Sequence, residues 1–559
     1  MSRVRRVGAL LVVVLALLAP LVLSAPAPAA SSDQDLIKLA CSLPHRYLVR
    51  TWNGFSPDRG PELTAIPKEP DFMGAGLPHV GPWDYIQHVP MFWYGPGHIR
   101  AQGDTKGQVT LADVAPTQAE LLHFDGFNAL DGTSMSSAIQ PGQTPPKLVV
   151  VLVWDSAGIN VLDTHKDQWP YLRSLIPKGT WYTDAYVGSS PTSTAQDHAT
   201  LGTGSFPIHH GIISHHFQLG GLDTTPWQIG PNFFVEPTFG DIYDAANGNQ
   251  PIVGMVATAD IHLGMLGHGS FWGGGDRDIA MTRSPATKGT STAEGDVWNL
   301  PKADAPFYHL PPYLNEKGGP AGTKSFEHDK QVLDRADGKQ DGKWRENDIE
   351  ALQKGFDTPA RTTYQERIVE EVVSNEGFGT DDTPDLLYLN FKEIDYVGHV
   401  WSMDSPEMTD AVKYQDDALK RFVPFLDQTV GKGNWAMVIT ADHAAMPNPL
   451  DSGGFEISTG AVTSAIENQF DKNGDSVPIV DNVQPGSVFL NEDEAAANNT
   501  TIEDIARFTQ TLTQTQTSGG GIEPNPGQEN DPVFQAVFPS SILPDLPCLP
   551  EASKTKDIA

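Results

Sequence analysis

Four apolar runs bounded by turn-forming residues mark the middle of the chain, at residues 148–154, 252–256, 386–391 and 435–440. Their apolarity is continuous rather than alternating, which is the pattern of strands covered on both faces, as in a parallel sheet. The intervening segments carry helical periodicity. The chain is therefore expected to be α/β, a doubly wound and mostly parallel sheet flanked by helices. In such sheets functional groups collect just past the carboxyl ends of the strands. Asp155, Asp395 and Asp442 fall at or a few residues beyond three of those ends.

Two stretches break the alternation. Residues 273–360 are rich in Gly, Asp, Lys and Pro and read as a surface insertion or cap. Residues 131–146, with Gly, Ser, Gln and three prolines, read as a linker. The expected organisation is a leader over residues 1–30, a segment 31–130, the linker 131–146, and a catalytic domain over 147–559. No internal repeat is visible.

The leader changes the setting of the fold. Arg3, Arg5 and Arg6 precede an apolar run from Val7 to Leu23 and a small-residue tail, the pattern of an export signal removed near Ala29 or Ala30. A secreted or extracytoplasmic protein without a membrane anchor after processing is expected. Cys41 and Cys548 are the only cysteines, and in an exported chain they are expected to form one disulfide joining the two ends. The formal net charge of -33 disfavours binding nucleic acid or an anionic membrane through a basic face.

The chemistry concentrates in a few places. A strand ends in Asp155, then come Pro191-Thr-Ser-Thr194-Ala-Gln-Asp-His198, Asp395-x-x-x-His399 and Asp442-His443. Carboxylates and imidazoles at strand ends are the donor types zinc prefers. Each alone is weak, because a strand-end Asp is often a helix cap. Their occurrence in sheet order is the stronger signal.

The runs Val149-Val-Val-Leu-Val-Trp-Asp155, Thr194-Ala-Gln-Asp-His-Ala-Thr-Leu-Gly-Thr-Gly204, His210-Gly-Ile-Ile213, Phe391-Lys-Glu-Ile-Asp-Tyr-Val-Gly-His399 and Ile439-Thr-Ala-Asp-His443 resemble motifs of the type I phosphodiesterase/nucleotide pyrophosphatase branch of the alkaline phosphatase superfamily. The resemblance implies an alkaline-phosphatase-like fold with two zinc ions. Asp155, Thr194, Asp442 and His443 would surround one, and Asp395 and His399 would contribute to the second. The family supplies one more histidine after its Asp-His pair, but this chain has none after His443. The segment His79-Val-Gly-Pro-Trp-Asp-Tyr-Ile-Gln-His-Val-Pro resembles the family's C-terminal stretch, with His79 at the ligand position. A circular permutation is therefore expected, in which that portion is encoded first.

By the same resemblance Thr194 is the nucleophile of a phosphothreonine pathway. Ser189, Ser190, Thr192 and Ser193 read as a polar turn, and His198 as packing or orientation. His215 stands where relatives place an Asn against a phosphate oxygen. Relatives that prefer monoesters carry a Lys and an Arg where this chain has Ala259-Asp260-Ile261, which biases the expectation toward phosphodiesters or pyrophosphates, with a small phosphate ester or nucleotide as substrate. His216, His262 and His268 could supplement the missing cations or be structural. A monoester-cleaving alkaline phosphatase and an inactive binding protein remain open alternatives, whereas a sulfatase does not suit Thr194. Asp471-Lys-Asn473-Gly-Asp475 has alternating oxygen ligands suited to calcium but lacks the glycine and glutamate of an EF-hand, so a calcium loop and a plain turn stay open.

Overall fold

A computed structural model describes residues 33–271, 275–282, 298, 300–315, 323–352 and 358–549. The export signal expected over residues 1–30 lies outside the described residues. The strands that matter here are β1 (Leu63–Pro67), β2 (Met91–Tyr94), β3 (Gly103–Thr110), β4 (Leu148–Trp154), β5 (Thr180–Tyr186), β6 (Val253–Ala257), β7 (Ile279–Thr282), β8 (Asp385–Phe391), β9 (Trp435–Thr440), β10 (Val480–Gln484), β11 (Ser487–Leu490) and β12 (Phe534–Pro539).

Eight of them form the central sheet, in the order β7-β6-β8-β4-β9-β2-β5-β3. β4, β6, β8 and β9 correspond to the four apolar runs, and every residue of each is buried. From β7 through β6, β8 and β4 to β9 every neighbouring pair is parallel, as is the β5–β3 pair. Only β2 is reversed, antiparallel to both β9 and β5. The sheet is thus mixed but dominated by parallel pairs, with helices packed against it.

Four helices bear on the site. They are α1 (Thr194–Thr203), α2 (Ala360–Glu376), α3 (Glu393–Trp401) and α4 (Pro406–Leu426). α1 ends at Gly204, whose φ of 68° is the left-handed conformation that glycine adopts without a Cβ penalty. α4 packs against both α2 and α3.

A second sheet of four strands, β10-β11-β1-β12, is antiparallel throughout and joins the two ends of the chain. β1 comes from the N-terminal segment and lies between two C-terminal strands. Cys41 and Cys548 form a disulfide beside it, with a Cα–Cα distance of 5.7 Å.

The expected insertion and linker are more integrated than their composition suggests. Within 273–360, β7 pairs with β6 as the edge of the central sheet, and Tyr308, Leu314, Trp344 and Ile349 are buried in the main core. A four-residue run is too short to stand out as a strand in a Gly- and Asp-rich segment. In the linker, Met135, Ala138 and Ile139 are buried, and Asp131 Oδ2 accepts the Phe206 N–H at 2.7 Å.

Candidate functional site

The site lies at the carboxyl edge of the central sheet. β4 ends at Trp154 and delivers Asp155, and β8 ends at Phe391 and leads through Lys392 into α3 with Asp395 and His399. β9 ends at Thr440 just before Asp442 and His443. The reversal of β2 is what brings the N-terminal segment here. Because Met91 pairs with Thr440, the chain entering β2 arrives at the edge where the parallel strands end. His79 lies on that approach.

The carboxylates and imidazoles converge in two clusters. In the first, His79 Nε2 and His399 Nε2 lie 3.2 and 3.4 Å from Asp395 Oδ1. His399 Nδ1–H donates to the Gly76 carbonyl at 2.6 Å, which fixes the ring so that Nε2 faces Asp395. In the second, His443 Nε2 is 3.4 Å from Thr194 Oγ1, 3.2 Å from Asp442 Oδ2 and 3.9 Å from Asp155 Oδ1. The clusters adjoin, since the His79 and His443 rings stack at 3.5 Å. All seven residues that sequence reasoning assigned to metal are therefore brought together.

Hydrogen bonds hold this arrangement from behind. The Ser156 N–H donates to Asp442 Oδ1 at 3.0 Å, tying β4 to the loop after β9. The two N–H groups of Asn390 Nδ2 serve Asp155 Oδ2 at 2.8 Å and His198 Nε2 at 2.9 Å. His198 Nδ1–H donates to the Thr194 carbonyl at 2.8 Å, so both its ring nitrogens are engaged and it braces the turn that presents Thr194. Thr192 Oγ1–H donates to the His79 carbonyl, joining that turn to the His79 loop.

Thr194 is the first residue of α1, where free backbone N–H groups and the helix dipole favour negative charge. His262 Nε2 sits 3.3 Å from Asp155 Oδ2 and is fully buried. Close packing puts it there: a Cβ at Gly264 would come within 2.7 Å of the Ala199 nitrogen of α1.

Electrostatics give the site its character. Asp155, Asp395 and Asp442 are all buried within one cluster. Burial alone would lower the His443 pKa, but the Asp442, Asp155 and Asp395 carboxylates outweigh it and raise it to about 9. Burial and the nearby His443 push His79 down to about 4. His215 is half-buried; desolvation and then the Lys392 charge push it down to about 3, so it is a neutral imidazole rather than a group titrating near neutrality. Its Nε2 is buried without a hydrogen-bond partner.

One residue of the site was missed. Lys392 places its ammonium 2.9 Å from Asp155 Oδ1, 2.7 Å from Asp395 Oδ2 and 3.1 Å from Thr194 Oγ1. Burial opposes its charge, but Asp155, Asp395 and Asp442 hold its pKa above the ordinary lysine value. A lone lysine at a strand end, three residues before a motif aspartate, was the available signal. Among the other histidines, His268 faces Asp241 at 3.2 Å in the cap of another helix, and His216 is exposed.

The sequence profile of the type I phosphodiesterase/nucleotide pyrophosphatase family matches residues 149–543. The chain belongs to that family. Its relatives in the alkaline phosphatase superfamily include a protein named calcium-transporting ATPase from Myroides odoratus, 24% identical over 352 residues, covering 54% of this chain and 61% of the relative. Alkaline phosphatase PafA from Elizabethkingia meningoseptica is 26% identical over 337 residues, covering 54% and 60%. The chain thus spans about three fifths of the length of these curated relatives. The crystal structure of wild-type PafA aligns over 70% of this chain and 84% of its own, at 18% identity and a TM-score of 0.48.

For this phosphodiesterase-family site the donor set answers whether a metal fits. Three buried carboxylates and three imidazoles with facing Nε2 atoms could hold a metal ion, and the single ammonium leaves buried negative charge that a cation would neutralise. The candidate calcium loop is a separate and mostly exposed turn, in which Asp471 Oδ1 is buried without a hydrogen-bond partner. Asn473 Nδ2 donates to Asp475 and Glu494, and the Asp475 N–H donates back to Asn473 Oδ1, so the loop closes as an Asx turn. Neither Asp471, Asn473 nor Asp475 belongs to a potential metal grouping among the described residues.

Proposed function

We propose that this chain is an exported, zinc-dependent phosphoric ester hydrolase acting on phosphodiesters or pyrophosphates through a phosphothreonine intermediate. The observation that carries the reading is the meeting of seven residues, Thr194 among them, drawn from five separate segments of the chain into two adjoining clusters. The donors divide into two positions for the two expected zinc ions. One is formed by His79, Asp395 and His399, the other by Asp155, Thr194, Asp442 and His443. Bound zinc would supply Lewis acidity to the phosphoryl oxygens and the nucleophile.

The chain's own groups do the rest. Thr194 Oγ1 gives its proton to solvent and bonds to phosphorus as the ester or pyrophosphate P–O bond breaks and the leaving group departs, taking up a proton as needed; water then displaces Thr194 and releases the remaining phosphomonoester. The N-terminus of α1 favours the negative charge that develops there. His215 Nε2 can donate to a phosphoryl oxygen in the appropriate tautomer. Ala259-Asp260-Ile261, in place of the two cations of monoester-cleaving relatives, supports the diester preference.

The segment 31–130 is read as the permuted C-terminal portion of the family fold. In support, β2 lies inside the central sheet beside β9, and β1 pairs with β11 and β12. The Cys41–Cys548 disulfide supports an extracytoplasmic location.

A monoester-cleaving alkaline phosphatase is the second reading, favoured by the names of several relatives. Comparing kcat/KM on bis(p-nitrophenyl) phosphate and p-nitrophenyl phosphate decides between them. A higher value for the diester is expected, abolished by a chelator and restored by zinc. A large monoester preference would reverse the substrate assignment. Protein free of metal and inert toward both esters would leave the binding-protein reading.

A further inference from the structure

We infer that Lys392 supplies, from within the chain, the positive charge at the Asp155–Thr194 position, so that the resting protein holds one metal ion at His79, Asp395 and His399 and an ammonium in place of the second. This rests on the reading of His79, Asp395 and His399 as a metal site, and it revises the occupant of the other position.

Three observations lead to it. First, the ammonium has three N–H groups and three acceptors within 3.1 Å, namely Asp155 Oδ1, Asp395 Oδ2 and Thr194 Oγ1. Each belongs to a residue of the metal-donor set, so the ammonium lies where a second cation would have to sit. Second, the backbone directs it there. Lys392 links the end of β8 to the start of α3 and is buried, so its ammonium is held at the strand ends. Third, the ammonium already offsets the Asp155 and Asp395 carboxylates at this position. A second divalent ion would have to expel a buried ammonium from all its acceptors, leaving it desolvated and unpaired.

The two ends of Asp395 divide accordingly. Oδ1 faces His79 and His399, and Oδ2 faces Lys392. Asp155 is likewise engaged on both oxygens, by Lys392 on one and by Asn390 on the other. Lys392 touches the reacting atom and is a catalytic residue: it donates to Thr194 Oγ1 and stabilises the alkoxide once that proton has left, without itself exchanging a proton. The covalent step is otherwise unchanged, with the Thr194 O–P bond forming as the ester O–P bond breaks.

Metal content gives the test. Wild-type protein, Lys392→Ser and Lys392→Arg are each equilibrated with excess zinc, dialysed, and analysed by plasma mass spectrometry, with circular dichroism to check folding. One zinc per chain is expected in wild type and in Lys392→Arg, and two in Lys392→Ser, whose turnover should fall at least about a hundredfold. Two zincs in wild type would overturn the inference alone, even if Lys392→Ser failed to fold. One zinc in folded Lys392→Ser, with wild-type turnover, would also overturn it. Zinc in none of the three proteins would overturn the metal reading as well.

Discussion

At the scale of single residues, the proposed reading separates the donors His79, Asp395 and His399 from the proposed nucleophile, Thr194. Thr194→Ala removes the only side chain proposed to form the covalent intermediate and leaves the His79, Asp395 and His399 cluster intact. Turnover is expected to fall by roughly a thousandfold or more, with metal content retained. His79→Ala should behave differently. It takes away one of three donors of the first cluster, so both metal content and turnover should fall, the latter by at least about a hundredfold. The pair is read by metal analysis and steady-state kinetics on the same preparations. If His79→Ala kept full activity and its metal, the alignment of residues 79–90 with the family's C-terminal stretch would be wrong.

At the scale of elements, the reversed strand β2 has two tasks. It closes the gap between β9 and β5, and its entry carries His79 to the catalytic edge. Phe92 is fully buried and pairs with Ile439. Phe92→Ala should cost about 3–5 kcal/mol by loss of packing and creation of a cavity, measured by denaturant unfolding. The start of β8 offers a pH test remote from the site. Asp385 accepts the Ile252 and Gly379 N–H groups, each at 2.6 Å, and burial raises its pKa to about 7. A carboxyl with a folded pKa above its unfolded value binds its proton more tightly when folded. Its stabilising contribution is therefore full at low pH and lost as pH rises toward 7. Asp385→Asn should make the fall in unfolding free energy between pH 4 and pH 8 smaller than in wild type.

At the scale of the whole molecule, the two ends of the chain are bound together twice, through β1 between β11 and β12 and through the Cys41–Cys548 disulfide. The bridge spans 507 residues, so in the unfolded chain it removes the entropy of a very long loop. Arg507 adds charged contacts to Asp33 and Asp35 across the same junction, but these are exposed and contribute little. Cys548→Ser should lower stability by about 2–4 kcal/mol, seen as a reduced thermal midpoint. Reducing agent should produce a similar shift in wild type and none in the variant.

The sequence by itself determined the parts whose signal is local. Continuous apolarity marked β4, β6, β8 and β9, because strands covered on both faces exclude polar residues along their whole length. The same strand ends announced Asp155, Asp395 and Asp442, and two cysteines left one pairing. Tertiary structure alone decided the rest. β7 hides in a polar segment because an edge strand needs only a few apolar residues on the sheet. The reversal of β2, which brings His79 to His399, is a matter of neighbours in space rather than of local pattern. Lys392 is the sharpest case. A lysine after a strand ordinarily reaches solvent, and only the three carboxylates gathered by β4, β8 and β9 make a buried ammonium stable beside Thr194.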